Sequence, residues 1–223
     1  GLTELTDEVA RALADYEGER LSLNGLPTLS EAAAHALAKC KVKYLYLNGL
    51  TVLTDEVARA LADYEGEGLR LDGFIAGIGG QVPLTVETAR LAVRSYQSFM
   101  DSRSLPLLPS ITRLESVDAI EIAAVFAASE AILILPNLTH LLPEELAVLT
   151  AKNNVLLPHV DRLSMMRESG GSEVERLNVP AGFEQKQQSL RNRVISEFFN
   201  QNLGYIISDE DEEVPPSDPP PKS

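Results

Sequence analysis

The sequence predicts an α/β repeat protein built from short helix and strand units that stack side by side. Fifteen residues, LTDEVARALADYEGE, lie at 5–19 and recur unchanged at 53–67, which is 48 positions downstream. A looser copy, SEAAAHALAKCKVKYLYLNGL, lies between them and halves the spacing to 24. A unit this short can bury its apolar face only against a neighbour. We therefore expect Leu21, Leu45 and Leu69 to lie in adjacent rows.

The first half of each unit has the pattern of a helix. From Leu53 to Ala62 the apolar residues recur at helical spacing. Thr6, Ser30 and Thr54 precede the three helical runs, where an N-cap hydroxyl is expected. Acidic residues follow each of them in the first turn, where they favour the helix dipole.

The second half of each unit has the pattern of a short strand followed by a turn. Residues 45–47 alternate with a period of two, as a strand does. The pairs that follow, Asn24-Gly25, Asn48-Gly49 and Asp72-Gly73, predict turns, because glycine adopts positive φ without steric cost.

The array is expected to continue in degenerate form beyond residue 74. LTVETARLAV at 84–93 repeats LTDEVARALA after 31 residues, and the seven extra residues fall in FIAGIGGQVP, which predicts a looped-out bulge. LPSI, LPNL and LPHV, starting at residues 108, 135 and 157, match LNGL at 47–50. Leu114, Leu141 and Leu163 then match Leu53. About seven strand units are expected in all.

The string LYLNGLTVLTDEVARALADYEG resembles the leucine-rich repeats of many bacterial hypothetical proteins, in which L-x-L-N-G-L-x-x-L-[ST]-x-E-x-A-x-A-L-A recurs in tandem. The match is strongest over residues 1–74. The resemblance implies a leucine-rich repeat solenoid, with parallel strands on the concave face and helices on the convex face. The commonest leucine-rich consensus has a buried asparagine ladder where this chain has Leu26, Leu50 and Phe74, so apolar packing is expected there.

Three regions follow from these patterns. The repeat array is assigned to residues 1–164 and is degenerate after 74. A C-terminal cap region at 165–207 begins with a loop, RESGGSEVERLNVP at 167–180, and contains a predicted helix over 184–203. That helix has an apolar stripe of Leu190, Val194, Ile195, Phe198 and Phe199. The acidic and proline-rich tail at 208–223 is predicted to be disordered.

Composition narrows the choice of compartment and partner. The net charge of −14 keeps a chain in solution and disfavours binding to nucleic acid. No apolar run approaches the roughly 20 residues that cross a bilayer, so membrane insertion is not expected. The single Cys40 favours a reducing, cytoplasmic environment. Since the chain starts at Gly1 inside a repeat, we expect a fragment whose missing start could carry an address signal.

No catalytic, cofactor or metal site is predicted. His35, His140 and His159 form no ligand-spaced pair, and Cys40 has no base nearby in sequence. The glycines of GFIAGIGGQ are not followed by the Lys-Ser or Lys-Thr of a phosphate loop. The acidic run DEDEE lacks the spaced ligands of a calcium loop. We therefore expect no enzyme, unless catalysis resides in a segment upstream.

The strand residues that point away from the core carry the functional hypothesis. In the first three units these residues are of the types enriched at interface hot spots, and they are assigned to partner binding: Arg20, Ser22, Tyr44, Tyr46 and Arg70. The alternative is a polar sheet face on which the tyrosines merely cover neighbouring strands. In later units the outward positions are apolar, which implies a cover from a partner or from the terminal helix: Leu107, Ile132, Ile134 and Leu156.

Two functions remain open at this point. The first is a protein–protein interaction module that binds a protein partner on the concave face without catalysis. The second is a structural scaffold or spacer within a longer multidomain protein, because near-identical copies change length before they change recognition. The identity of the partner does not follow from the sequence.

Overall fold

The computed structural model describes residues 2–97, 107–114, 117–158, 163–165 and 177–208. Over these residues the chain is a mixed α/β protein with eight helices and short parallel strands. The helices are α1 (Asp7–Ala14), α2 (Glu31–Ala38), α3 (Asp55–Ala62), α4 (Asp72–Gly77), α5 (Val86–Gln97), α6 (Ala119–Ala128), α7 (Pro143–Leu149) and α8 (Phe183–Ser208). The strands are β1 (Arg20–Ser22), β2 (Tyr44–Tyr46), β3 (Gly68–Arg70), β4 (Leu133–Ile134), β5 (His140–Leu141), β6 (Val155–Leu156) and β7 (Ser164–Met165).

The first three strands form one parallel sheet in chain order. Leu21 lies opposite Leu45, and Leu45 lies opposite Leu69, so the register equals the 24-residue spacing of the sequence. The prediction that these leucines occupy adjacent rows is confirmed. Leu45 and Leu69 are fully buried.

The helices pack against one another in the same order as the strands, from α1 through α2, α3, α5 and α6 to α7. One apolar core contains buried residues of both the helices and the strands, such as Leu37, Leu61 and Leu45. The hydroxyl oxygens of Ser30 and Thr54 each accept a hydrogen bond from a backbone N–H three residues on, which confirms the predicted N-caps.

N-cap hydroxyls also join neighbouring units. The hydroxyl of Ser30 donates to Oδ1 of Asp7 over 2.6 Å, and the hydroxyl of Thr85 donates to Oδ1 of Asp55 over 2.7 Å. In both pairs the acceptor is the first residue of the helix in the neighbouring unit, α1 for Ser30 and α3 for Thr85. The same side chains therefore start one helix and hold it to the helix packed beside it.

The turns after β1 and β2 stack closely on each other. The side-chain Oδ1 of Asn24 accepts from the backbone N of Asn48 over 3.0 Å, and Oδ1 of Asn48 accepts from the backbone N of Asp72 over 3.3 Å. A Cβ on Gly49 would lie 2.1 Å from the carbonyl oxygen of Asn24. Glycine is therefore required for close approach between units. The positive φ that we expected at Gly49 is found in the described residues at Gly79, Gly182 and Asn153 instead.

The segment after β3 differs from its prediction. Asp72 and Gly73 begin the short helix α4 instead of forming a turn. The expected bulge at 74–83 contains the rest of that helix and a bridge between Ile78 and Val82. Phe74 in this helix is fully buried, as are Leu26 and Leu50 in the earlier units. Apolar burial of Phe74 stabilises a helical turn that the Asp-Gly pair alone does not indicate.

Short strands of the second half form two rows. In one row Leu107 bridges to Ile134, and β4 pairs with β6. These spacings, 27 and 22 residues, agree with the predicted alignment. In the other row Arg113 bridges to His140, and β5 pairs with β7. The array is thus not one strand per unit throughout.

One register prediction in this half is wrong. Leu141 lies opposite Met165 and not opposite Leu163. The connection from β6 to β7 is two residues longer than the connection from β4 to β5. The register of the second row therefore shifts by two relative to the first row, although Leu163 is still buried.

The terminal helix α8 extends further at both ends than the predicted 184–203. Leu190 of its predicted stripe is buried, but Ile195 is 53% exposed, so the stripe is narrower than expected. The predicted disordered tail lies outside the described residues except for Ser208, which ends α8. Residues 167–176 of the predicted loop also lie outside them.

The duplicated segments provide a matched test of stacking. Val9 is 46% exposed in the first copy, whereas Val57 in the identical second copy is 2% exposed. We expect Val57→Ala to lower the free energy of unfolding by about 2 kcal/mol, because it opens a cavity. Val9→Ala should change it by less than about 0.5 kcal/mol. Urea titration monitored by circular dichroism measures both, and equal effects would contradict the burial difference.

A buried carboxyl at the start of α7 predicts a pH dependence. Glu145 is buried and its Oε2 accepts from the backbone N of Leu142 over 2.8 Å. Burial raises the pKa of Glu145 above its ordinary value of 4.5. Since the folded-state pKa of Glu145 is raised, its protonated carboxyl stabilises the fold below the ordinary pKa. That stabilisation is lost as the pH rises through the raised pKa.

We expect Glu145→Gln to raise the thermal midpoint near pH 7 by about 2 °C, because it keeps the acceptor and removes the buried charge. At a pH of about 3.5 both Glu145 and the glutamine that replaces it are neutral, so the gain in thermal midpoint should disappear. Thermal melts at the two pH values measure this. Exposed Glu144→Gln is the control, and a gain of the same size at both pH values would argue against a buried charge.

Candidate functional site

The structure brings the five predicted partner-binding residues onto one surface. Arg20 lies opposite Tyr44 in the strand register, and Ser22 lies opposite Tyr46, which lies opposite Arg70. Arg20 and Ser22 are exposed, and the other three side chains are partly exposed. We call this surface, formed by Arg20, Ser22, Tyr44, Tyr46 and Arg70, the outer strand face.

Contacts within the sheet hold Tyr44 in place. The guanidinium of Arg20 lies 5.8 Å from the centroid of the Tyr44 ring, in the range of a cation–π interaction. The Tyr44 hydroxyl donates to Oε2 of Glu67 over 3.0 Å. Nζ of Lys43 lies 3.6 Å from Oε1 of the same carboxylate. The Tyr44 ring is therefore positioned by one residue from the unit before it and one from the unit after it.

The hydrogen bond to Glu67 also affects the protonation of Tyr44. It raises the pKa of the Tyr44 phenol, and the negative charge of Glu67 acts in the same direction. The hydroxyl therefore stays protonated near neutral pH. The ring presents a fixed aromatic surface whose hydroxyl already has an acceptor.

Arginine and tyrosine alternate across this surface. Arg20 belongs to β1 and Arg70 belongs to β3, so two strand spacings, or about 10 Å, separate their backbones. Tyr44 and Tyr46 lie on β2 between them. The outer strand face thus has aromatic side chains at its centre and positive charge on both flanks.

The outward positions of the second half are covered by α8. Ile132, Ile134 and Leu156 are buried in one apolar cluster with Leu190, against which Val194 also packs. Of the two covers that their apolar character implied, the chain's own terminal helix is the one observed. Leu107, at the same register position as Ile134, keeps 36% of its surface exposed. Phe198 and Phe199, also expected in this cover, lie outside the described side chains.

A side-chain amide of α8 binds the outer edge of β6. The buried Gln187 accepts from the backbone N of Leu157 over 2.8 Å and donates to the carbonyl oxygen of Val155 over 3.1 Å. Nη2 of Arg191 donates to the carbonyl oxygen of Leu157 over 3.3 Å. A single amide group thus makes the two hydrogen bonds that the backbone N–H and C=O of one residue in a further parallel strand would make. Sequence reasoning missed Gln187, because a glutamine in a helix gives no local signal of this role.

The edge contact yields a test in a neighbouring pair of residues. We expect Gln187→Ala to lower the free energy of unfolding by about 3 kcal/mol, because it leaves a buried backbone N–H and carbonyl without partners. The exposed Gln188, whose amide donates to Asn192 on the same helix, is the matched control. Gln188→Ala should cost less than about 0.5 kcal/mol. Urea unfolding compares the two variants, and similar midpoints for both would show that the edge contact does not stabilise the fold.

The described residues show little that could act as a reactive group. Cys40 is buried, and burial raises the pKa of its thiol, which keeps it protonated. His35 is exposed and faces Glu31 on the same helix, and His140 is exposed beside Thr139. His159 lies outside the described residues. Within the described ranges no group of three His, Cys, Asp or Glu side chains is arranged to hold a metal ion.

One shallow groove lies on the helical side, between α5 and α6. Its volume is about 490 Å³, and an ion pair between Nη2 of Arg90 and Oε1 of Glu121 at 3.1 Å borders it. Arg94 and several alanine and valine side chains form the rest of the lining, and Nη2 of Arg94 donates to the carbonyl oxygens of Tyr64 and Gly66. Within the described part of the chain, no helix combines the length and the apolar character that crossing a bilayer requires.

Comparisons with known proteins add no relative. No protein-family model, no curated protein and no solved structure matches the chain. Function therefore has to be inferred from the outer strand face and from the parts of the chain that surround it.

Proposed function

We propose that the chain is a leucine-rich repeat solenoid without catalytic activity, which binds a protein partner on the outer strand face. The parallel strands in a 24-residue register and the helices that pack in chain order support this architecture. Binding follows from the fold only by analogy. The chemistry of the outer strand face therefore has to support it separately.

The contrast between the two halves of the strand surface carries the proposal. Where the outward residues are apolar, the chain covers them with Leu190 and Val194 of α8. Where the outward residues are tyrosine and arginine, Arg20 remains exposed, and Tyr44, Tyr46 and Arg70 remain partly exposed. Tyrosine and arginine are enriched in interface hot spots. A partly exposed surface of this composition is suited to a protein ligand.

The roles of the individual residues follow from their chemistry. Tyr44 and Tyr46 supply aromatic area at low cost in side-chain entropy, and Glu67 and Arg20 already restrict the Tyr44 ring. Arg20 and Arg70 can pair with carboxylates on the partner, so they favour partners with acidic groups. Ser22 adds a small hydroxyl that lets a ligand approach β1 closely.

We expect the double variant Tyr44→Ala, Tyr46→Ala to weaken binding of the partner by at least about 100-fold, because it removes both aromatic anchors. The partner is first isolated by affinity capture on the immobilised full chain and identified by mass spectrometry. Its affinity for each variant is then measured by isothermal titration calorimetry. Circular dichroism verifies that the double variant keeps its helical content.

The matched control carries two substitutions on the helical side, Arg11→Ala and His35→Ala, both at exposed positions. This control should bind the partner as the unchanged chain does. If the tyrosine variant keeps full affinity, or if the control loses as much, the partner does not use the outer strand face. The alternative function, a structural scaffold or spacer within a longer multidomain protein, would then be favoured.

A further inference from the structure

The first unit leaves open a surface that the third unit buries. Residues 5–19 and 53–67 are identical, yet Tyr16 is 46% exposed where Tyr64 is 2% exposed. Val9 and Val57 differ in the same way. Leu13 and Leu21 are partly exposed, whereas Leu61 and Leu69 are fully buried. We call the surface formed by Val9, Leu13, Tyr16 and Leu21 the open end face.

The unit that precedes the second copy accounts for this difference. The helix α2 packs against α3, and β2 pairs with β3. The Tyr64 hydroxyl donates to the carbonyl oxygen of Val42 over 2.6 Å, in the connection from α2 to β2. Since the two copies have the same sequence, the difference in exposure comes from the neighbour. The molecule itself therefore displays the surface that fits the open end face.

We propose that the open end face is a stacking surface for one more helix–strand unit of the α2–β2 type, joined to the N-terminal side of Leu5. The unit that fits has small apolar residues such as Ala34 and Ala38 on its helix, and a backbone carbonyl at the position of Val42. The structure contains the contact that α2 and β2 make with the second copy of the repeated segment, residues 53–67. The open end face is inferred from that contact.

A second copy of the chain does not offer this surface in its described residues. The matching side of α2 and β2 is already occupied by α3 and β3. At the other end of the array, Gln187 of α8 binds the edge of β6. Two open end faces placed against each other would give neither Tyr16 hydroxyl a carbonyl equivalent to that of Val42.

A graft into the full chain tests the proposal. Residues 29–52 are copied and placed directly before Leu5 in place of residues 1–4, which recreates the native junction between Val52 and Leu53. The added unit should raise the thermal midpoint by about 5 °C or more, since it buries the apolar end. It should also lower the rate of Tyr16 nitration by tetranitromethane by about tenfold.

Trypsin separates the two tyrosines for mass spectrometry. Tyr16 falls in the peptide ALADYEGER and Tyr64 falls in ALADYEGEGLR, which differ in mass. In the unchanged chain Tyr16 should react faster than Tyr64 by about tenfold. In the grafted chain the two rates should become similar. Tyr64 thus serves as an internal standard in every sample.

Val9→Asp is the matched control. In the unchanged chain Val9 is exposed, so the substitution should leave the thermal midpoint within about 1 °C. In the grafted chain it should abolish the gain, because it places a charge in the new contact. Two results would overturn the proposal. One is a graft that neither raises the midpoint nor protects Tyr16. The other is an unchanged chain whose sedimentation shows a dimer in which Tyr16 is protected, which would assign the face to a second copy.

Discussion

Contact between one unit and the next is the constraint on which the rest of the structure depends. Leu45 and Leu69 reach full burial only because the strands lie in register at a spacing of 24 residues. The side-chain oxygens of Asn24 and Asn48 each accept from the backbone of the following unit, and Gly49 permits the turns after β1 and β2 to touch. This register also makes outward residues that are 24 positions apart into neighbours. The outer strand face is therefore a direct product of unit spacing.

A stack of this kind has two ends, and the chain treats them differently. At the edge of β6, α8 supplies an apolar cover, and its Gln187 makes the two hydrogen bonds that one residue of a further strand would make. At β1 the apolar residues of the open end face are partly exposed. The same sequence is buried against a neighbouring unit at β3. An unpaired strand edge invites pairing with another chain. The two ends of the array thus differ in how much of the surface through which units stack is buried.

The sequence predicted what the repeat itself encodes. The N-caps Ser30 and Thr54 and the register of the first sheet follow from patterns that recur at fixed spacing, so each copy supports the others. The helix α4 and the shift at Met165 were missed because each occurs once. The contacts of Tyr44 with Arg20 and Glu67, and of Gln187 with β6, join residues about 23 to 32 positions apart. Local patterns carry no signal for such contacts.

The extent of the outer strand face limits the partner that the proposed function allows. Three strands at a spacing of about 4.8 Å, with three residues each, form a patch of roughly 150 Å². A stable protein–protein interface of standard size buries about 800 Å² on each partner. A partner that used only this patch would bind weakly, so tight binding needs contacts beyond it. If a further unit stacks on the open end face, the row of outward residues lengthens by one strand, and the area available to a partner grows with it.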